Sequence, residues 1–166
     1  MGTGAGFSAD RLDPAVDLAR RGNLNAIVFE CLGERTLAAG LREKLVDPSL
    51  GYNPLLETRM RTILPFCRAN NTCLITNMGA ANPLAAGTLV ANVAGKLGLQ
   101  GMRIAVVTGD DVTDLLNDNT RLFEPGCTLK DFEQPVVGAH AYLGAEGIVQ
   151  PLQQKADVVI TGRVAD

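Results

Sequence analysis

Aromatic residues, histidine and positive charge are all scarce in this sequence of 166 residues. Aromatic residues make up 4% of the chain and tryptophan is absent, so stacking on nucleic-acid bases is poorly provided for. The 15 lysines and arginines are outnumbered by 18 aspartates and glutamates, and the net charge of −3 provides no basic field for nucleic acid or an anionic membrane surface. We therefore expect no nucleic acid and no membrane among its partners.

Long apolar runs and secretory signals are also missing. No stretch approaches the roughly 18 apolar residues of a membrane-spanning helix. The first residues lack the basic flank and the apolar core of a signal peptide. These absences predict a cytoplasmic protein.

The usual metal-binding patterns are absent too. His140 is the only histidine, and none of the four cysteines forms a Cys-x-x-Cys pair. A structural zinc site is therefore not expected, and we predict reduced, mostly buried thiols. The sequence assigns no cofactor.

What the sequence does contain is a series of short apolar runs separated by helix-length segments. Continuous runs rich in Val, Ile and Leu are typical of strands that are covered on both faces. They predict strands at residues 26–29, 73–75, 104–107 and 158–160, with Val136-Val137 as a weaker fifth.

Helix starts are marked by prolines that follow Asp or Asn. These pairs are Asp13-Pro14, Asn53-Pro54 and Asn82-Pro83, and a further helix is predicted over residues 36–45. Strands that alternate with helices predict an α/β fold: an open, doubly wound, mostly parallel sheet of about five strands with helices on both faces.

Both ends of the chain look cut. Residues 1–6 have the composition of a loop that normally follows a strand, and residues 158–166 resemble a strand and its exit loop with no helix after them. We expect residues 1–166 to be a single α/β domain and the N-terminal fragment of a longer protein.

Polar and glycine-rich residues are concentrated in the segments that follow the predicted strands. Ligands of open parallel sheets bind beyond the carboxyl ends of the strands, so we expect these segments to meet at a common crevice. They are residues 2–7, 29–36, 76–83, 108–113 and 161–166.

Gly4 and Gly6 belong to a glycine-rich loop that can cradle a phosphate through its backbone amides. A plain tight turn is the alternative. The spacing is not Gly-x-Gly-x-x-Gly, and the helix start at Asp13 comes seven residues after Gly6, which argues against a dinucleotide site.

Glu30 and Asn77 are the candidate catalytic residues. Glu30 closes a strand, where partial desolvation raises the pKa of a carboxyl group toward the range of a general base. Asn77 can donate to a carbonyl or an oxyanion together with the amides of residues 79–81. The alternative for Glu30 is a structural ion pair with Arg35.

Substrate binding is predicted for charged and small residues of the same segments. Arg35 and Arg163 can hold a carboxylate or a phosphate. Gly79 and Ala80 allow the backbone to approach a ligand closely. Asn82 is also assigned to this group, although an Asn-Pro pair is first of all a helix cap.

Asp110 is the remaining substrate-binding candidate. It and Asp111 are neighbours whose side chains point apart in an extended loop, so no carboxylate pair is predicted. One of them can bind a metal such as magnesium, or the two can cap a helix. For His140, a buried, hydrogen-bonded side chain and a proton shuttle are equally favoured.

Taken in order, these motifs resemble the N-terminal part of the acyclic terpene utilisation family, AtuA. The resemblance covers essentially the whole chain and rests on GTGAGF with DRLDP, FECL with ERT, DPSLGY, and the segments 76–83 and 161–166. It implies a role in the bacterial breakdown of citronellol- and geraniol-type compounds, whose chains are handled as coenzyme A thioesters. It suggests a lyase step on a branched 3-hydroxy-glutaryl-CoA and assigns no catalytic residue.

We therefore predict an enzyme whose partner is a small-molecule acyl-CoA thioester. Two alternatives stay open: a non-catalytic accessory protein that partners a biotin-dependent acyl-CoA carboxylase, and a nucleotide-binding domain. Open sheet edges favour association, so a homo-oligomer is a further alternative.

Overall fold

A computed structural model of the chain describes residues 1–123 and 126–165. In these residues one five-stranded sheet has the order β1-β2-β3-β5-β4, and every neighbouring pair is parallel. The strands are β1 (Gly2–Ala5), β2 (Ala26–Phe29), β3 (Cys73–Thr76), β4 (Ile104–Val107) and β5 (Val158–Thr161). The predicted α/β fold with a parallel sheet is confirmed.

Two predictions about the strands were wrong. The glycine-rich start of the chain is not an exit loop, because Gly2–Ala5 pair with β2 as an edge strand of the sheet. Val136 and Val137 form no strand and are 41% and 50% exposed. Pro135 and Gly138 flank these two residues, and so short a run offers little backbone to pair.

Helices connect the strands. Two of them begin at the predicted pairs Asp13-Pro14 and Asn82-Pro83, whereas the one predicted at Asn53-Pro54 begins at Leu56. The helices are α1 (Asp13–Arg21), α2 (Glu34–Val46), α3 (Leu56–Ala69), α4 (Pro83–Lys96) and α5 (Glu146–Gln153). The Asn82 side chain caps α4 by accepting a hydrogen bond from the N–H of Ala85 at 3.3 Å. The loop from β4 to α5 contains two 3₁₀ turns, at Thr113–Leu115 and Leu129–Asp131.

The core lies between the sheet and a layer of helices in which α3 contacts both α1 and α4. Ile27, Phe29 and Leu74 point into it and are fully buried, whereas Val28 and Ile75 on the other side of the same strands are half-buried. Of the five described strands, the interior strand β5 is the one that is buried throughout.

Parallel pairing has one consequence for function: the carboxyl ends of all five strands lie at the same edge of the sheet. Among the residues described, no helix combines the length and the apolar composition needed to cross a bilayer.

Candidate functional site

A cavity of about 350 Å³ opens at the carboxyl edge of the sheet. We call it the exit cavity. It is lined by residues that follow β1, β2 and β5, including Gly6, Glu30, Arg35 and Arg163. Four of the predicted site residues therefore share one cavity, because parallel strands deliver their exit segments to one edge.

Glu30 and Asn77 are in direct contact. The Nδ2 group of Asn77 donates to Oε1 of Glu30 at 2.8 Å, and the N–H of Leu32 donates to the same oxygen at 3.1 Å. The Oδ1 atom of Asn77 accepts the N–H of Cys31 at 2.7 Å. Asn77 is buried and holds Glu30 in place, so in this arrangement it is a positioning residue rather than a donor to a ligand.

Arg35 does not form the ion pair with Glu30 that a structural role would require. Among the described residues, Arg35 takes part in no ion pair or side-chain hydrogen bond, and its side chain is exposed at the mouth of the exit cavity. An exposed guanidinium next to a cavity can bind a carboxylate or phosphate through two parallel hydrogen bonds.

Arg163 is buried and ties several exit segments together. Its Nη1 donates to the carbonyl of Leu32 at 2.5 Å, and its guanidinium lies over the Tyr142 ring at 4.0 Å from the ring centre. Its Nη2 is 3.8 Å from Oε1 of Glu34. The cation is thus held between β2, β5 and the loop that precedes α5.

Tyr142 and Glu34 form the rim beside Arg163. The Tyr142 hydroxyl donates to Oε1 of Glu34 at 2.7 Å. This bond, with a smaller contribution from the Arg163 charge, holds the pKa of Glu34 below its ordinary value. The same bond raises the pKa of Tyr142, because losing its proton would place two negative charges together.

The predicted phosphate cradle at Gly4 and Gly6 is not formed. Gly4 is buried within β1, and the N–H groups of Gly6 and Phe7 donate to Oδ2 of Asp10 at 2.8 and 3.0 Å. The Asp10 carboxylate therefore already occupies the anion position of this turn, and its negative charge repels a phosphate.

Two of the three predicted oxyanion amides, those of Ala80 and Ala81, are used within the fold. The N–H of Ala80 donates to the carbonyl of Asn77 at 3.2 Å, and that of Ala81 donates to the carbonyl of Gly51 at 2.9 Å. The side-chain Nδ2 of Asn82 donates to the carbonyls of Pro48 and Leu50 at 2.9 and 2.7 Å. This segment fastens the α2–α3 connection to the sheet.

Asp110 lies beneath the rim with 3% of its surface exposed. Its Oδ2 atom is 3.0 Å from Nδ1 of His140 and accepts the backbone N–H of Arg163 at 2.8 Å. Asp111 is directed elsewhere and accepts from the Thr113 hydroxyl at 2.6 Å. In the part of the chain that the structure describes, no three acidic, histidine or cysteine side chains converge as a metal ion requires.

The model of one protein family, described as the acyclic terpene utilisation family protein AtuA, matches residues 1–166. The chain belongs to the AtuA family. The resemblance seen in its motifs is confirmed, and membership supports a role in acyclic terpene utilisation. Searches of curated proteins and of solved structures find no match.

Sequence reasoning missed one charged residue beneath the site of this AtuA family member. Arg59 of α3 is 2% exposed, and its guanidinium donates to the carbonyls of Ser8 and Asp10 at 3.0 and 2.9 Å and to Sγ of Cys31 at 2.9 Å. The sequence did contain an indication that Arg59 is buried, because it falls on the apolar face of α3 between Leu56 and Met60.

Tyr142 was missed because nothing in the sequence around it indicates a site. Asp166, the last residue of a predicted exit segment, lies outside the described residues. The site of this AtuA family member therefore consists of a positioned carboxylate and two arginines around the exit cavity, with a buried His140–Asp110 pair beside it.

Proposed function

We propose that this AtuA family member is an enzyme that binds an acyl-CoA thioester in the exit cavity and cleaves a carbon–carbon bond of a branched 3-hydroxy-glutaryl-CoA. The observation that carries the proposal is the Glu30 carboxylate, which Asn77 and the Leu32 amide hold at a cavity that also contains Arg35 and Arg163. A fixed base next to two cations suits a substrate with both a hydroxyl group and an anionic end.

The two arginines differ in what they can offer a substrate. Arg35 is exposed, so its guanidinium is the group proposed to hold the free carboxylate of the glutaryl end. Arg163 is packed against Tyr142 and the Leu32 carbonyl, so it provides a fixed positive charge in the cavity wall. Such a charge favours a reaction in which negative charge develops nearby.

In the proposed reaction Glu30 takes the proton of the 3-hydroxyl group. The bond between C2 and C3 then breaks, the hydroxyl oxygen becomes a ketone oxygen, and the electron pair passes into the enolate of the thioester. The proton on Glu30 returns to C2 of that enolate, so the step neither consumes nor releases a proton. Asn77 keeps Glu30 oriented through both transfers.

The experiment measures binding and turnover of 3-hydroxy-3-methylglutaryl-CoA. The Glu30→Gln variant preserves the shape of the side chain and removes the base, so we expect unchanged binding and turnover lowered by at least about 100-fold. Arg35→Ala should weaken binding by about tenfold, the loss of one charge-assisted contact. Arg42→Ala, an exposed arginine on the same helix outside the cavity, is the matched control.

Wild-type turnover by Glu30→Gln removes Glu30 from the mechanism. If neither this thioester nor coenzyme A binds, the proposed function is overturned. Equal effects of Arg35→Ala and Arg42→Ala would show that binding is a general charge effect and not a contact at the cavity.

Exposed apolar side chains favour a second function, that of an accessory protein for a biotin-dependent acyl-CoA carboxylase. In the loop between β4 and α5, Leu115, Phe123 and Phe132 are 76%, 100% and 59% exposed. Contiguous apolar patches mark interaction sites, and this second function requires that the three side chains belong to one such patch. This function predicts co-elution with a purified carboxylase in size-exclusion chromatography, weakened by Phe132→Ser; separate elution of the two proteins contradicts it.

A further inference from the structure

A second recess adjoins the exit cavity, and the proposed reaction assigns no role to it. Its volume is about 210 Å³, and we call it the histidine recess. Leu37 and Leu41 of α2 form an aliphatic wall, and His140 and Tyr142 line it together with Arg163. Arg163 and Glu34 line both spaces, so they separate the recess from the exit cavity.

The hydrogen bond to Asp110 determines which nitrogen of His140 carries the proton. Nδ1 lies 3.0 Å from Oδ2 of Asp110, and the side chains of His140 and Asp110 are 3% and 4% exposed. Because a carboxylate oxygen only accepts, Nδ1 is the donor, and in the neutral tautomer this hydrogen bond leaves Nε2 with its lone pair. The backbone N–H of Arg163 holds the same carboxylate oxygen at 2.8 Å.

The remaining nitrogen of His140 is buried without a protein partner. Among residues 1–123 and 126–165, no atom forms a hydrogen bond with Nε2. Buried polar groups are normally paired. His140 lines the histidine recess with its Nδ1 turned to Asp110, so we take the unpaired Nε2 as an acceptor for a group that enters the recess.

The chemistry of the recess restricts the ligand. A carboxylate or phosphate has no proton to donate to Nε2. An ammonium group is disfavoured because Arg163 repels it and because the Glu34 carboxylate in the same wall is already paired with Arg163 and Tyr142. The aliphatic side of Leu37 and Leu41 favours a hydrocarbon chain. A neutral hydroxyl group on a short branched chain satisfies all three conditions, and the recess holds about seven water-sized volumes of roughly 30 Å³ each.

We propose that the histidine recess is a binding site for a small aliphatic alcohol, whose hydroxyl group donates to Nε2 of His140. Asp110 acts as the positioning residue, because its carboxylate keeps the proton on Nδ1. This site is separate from the thioester site of the proposed function, and neither proposal depends on the other.

The test uses nuclear magnetic resonance of the chain labelled with ¹⁵N-histidine. His140 is the only histidine, so one imidazole is observed. We expect a proton on Nδ1 and none on Nε2 in the free chain. On addition of 3-methylbutan-1-ol the Nε2 resonance should shift in a saturable way. The methyl ether of this alcohol has the same chain without the donor, and we expect it to bind at least about tenfold more weakly.

A proton on Nε2 in the free chain, or equal shifts with the alcohol and its ether, overturns the proposal, and so does no shift with either. A variant supplies a second measurement: His140→Phe keeps a ring and removes the acceptor, so stabilisation by the alcohol in a thermal melt should be lost. No coenzyme A compound is used, so failure here is distinguishable from failure of the proposed function.

Discussion

Gly4 and Gly6 lie two positions apart and have opposite surroundings. A Cβ atom built on Gly4 would lie 2.5 Å from the Phe29 ring, whereas one built on Gly6 meets no atom within 4 Å. At Gly4 the missing side chain lets β1 lie against a large core residue. At Gly6 it has no such function, and the turn is held by Asp10 instead.

Replacement of these two glycines by alanine should therefore have different effects. Gly4→Ala forces the Phe29 ring to move, and we expect a loss of about 1–3 kcal/mol of stability. Gly6→Ala is the control and should leave stability nearly unchanged. Thermal melts measure the difference, since 1 kcal/mol corresponds to roughly 2–4 °C in a chain of this size. Equal melting temperatures would show that Gly4 is not constrained by packing.

Burial also determines the reactivity of the cysteines. It raises the pKa of the Cys31, Cys67 and Cys73 thiols to about 11, 12 and 11. For Cys31 this effect outweighs the opposing influence of the Arg59 charge. The prediction of reduced thiols agrees with four free cysteines, although Cys73 and Cys127 are only half-buried.

Modification by a thiol reagent at pH 8 should consequently be slow for three of the four cysteines in the native chain, because the thiolate is the reactive form. Cys127 lies outside the core and should react first. Denaturation in guanidinium should expose all four. Because the folded pKa values exceed the ordinary 9.0, the stability linked to these thiols is complete below pH 9 and is lost as the pH rises toward 11. Rapid modification of more than one thiol in the folded chain would contradict the prediction that burial protects three of the four cysteines.

At the scale of elements, α3 supports the site from beneath. Its residue Arg59 donates to two carbonyls of the loop after β1 and to Cys31 after β2, so one side chain holds two exit segments together. Arg61, two residues along, is exposed, and within the described part of the chain its one ion-pair partner is Glu57 on its own helix. The arginine on the buried face of α3 thus holds two loops together, whereas the arginine on the exposed face contacts its own helix.

Substitution of each of these two arginines by methionine should lower the stability of the chain by very different amounts. Arg59→Met removes charge-assisted hydrogen bonds from the buried side, and we expect a loss of about 2–4 kcal/mol, with faster hydrogen exchange of residues 6–11. Arg61→Met removes an exposed helix pair and should change stability by no more than about 0.5 kcal/mol. Chemical denaturation measures both. If the two variants are equally stable, Arg59 does not hold the loops.

At the scale of the whole molecule, the strand that comes last among the described residues lies inside the sheet and not at its edge. β5 lies between β3 and β4, and β4 joins the sheet only through β5. The predicted weak strand at Val136-Val137 contributes nothing to this arrangement, because both residues are exposed in the loop before α5.

An aspartate placed in β5 and another placed at the predicted weak strand test which of the two segments belongs to the sheet. Val159→Asp buries an unpaired carboxylate in a fully covered strand, which costs several kcal/mol and should leave the chain unfolded by circular dichroism. Val137→Asp, half-exposed in the native fold, should melt within about 2 °C of the wild type. An unfolded Val137→Asp variant would restore the predicted strand.

Local pattern was sufficient for most of the fold and for the general position of the site. Continuous apolar runs identified β2 to β5, and Asp-Pro and Asn-Pro pairs identified helix starts. β1 was missed because its glycines resemble a loop, and only pairing with β2 makes them a strand. Parallel topology brought Glu30, Arg35 and Arg163 to one cavity.

The detailed chemistry of the site could not be predicted from local pattern, because it depends on contacts between distant residues. The carbonyl of Gly51 accepts from the Ala81 amide, the carbonyl of Leu32 accepts from Arg163, and the Tyr142 hydroxyl donates to Glu34. None of these partners can be inferred from spacing along the chain.

The sequence by itself determined the α/β class, the exit segments and the family, because periodicity, capping pairs and ordered motifs are local properties. Only the tertiary structure decided which donors and acceptors are already paired and which stay open to a ligand. Hydrogen bonds are satisfied in space, by whichever group the folded backbone brings within about 3 Å. That is why the amide of Ala81 is already paired, while no group of the described residues pairs with Nε2 of His140.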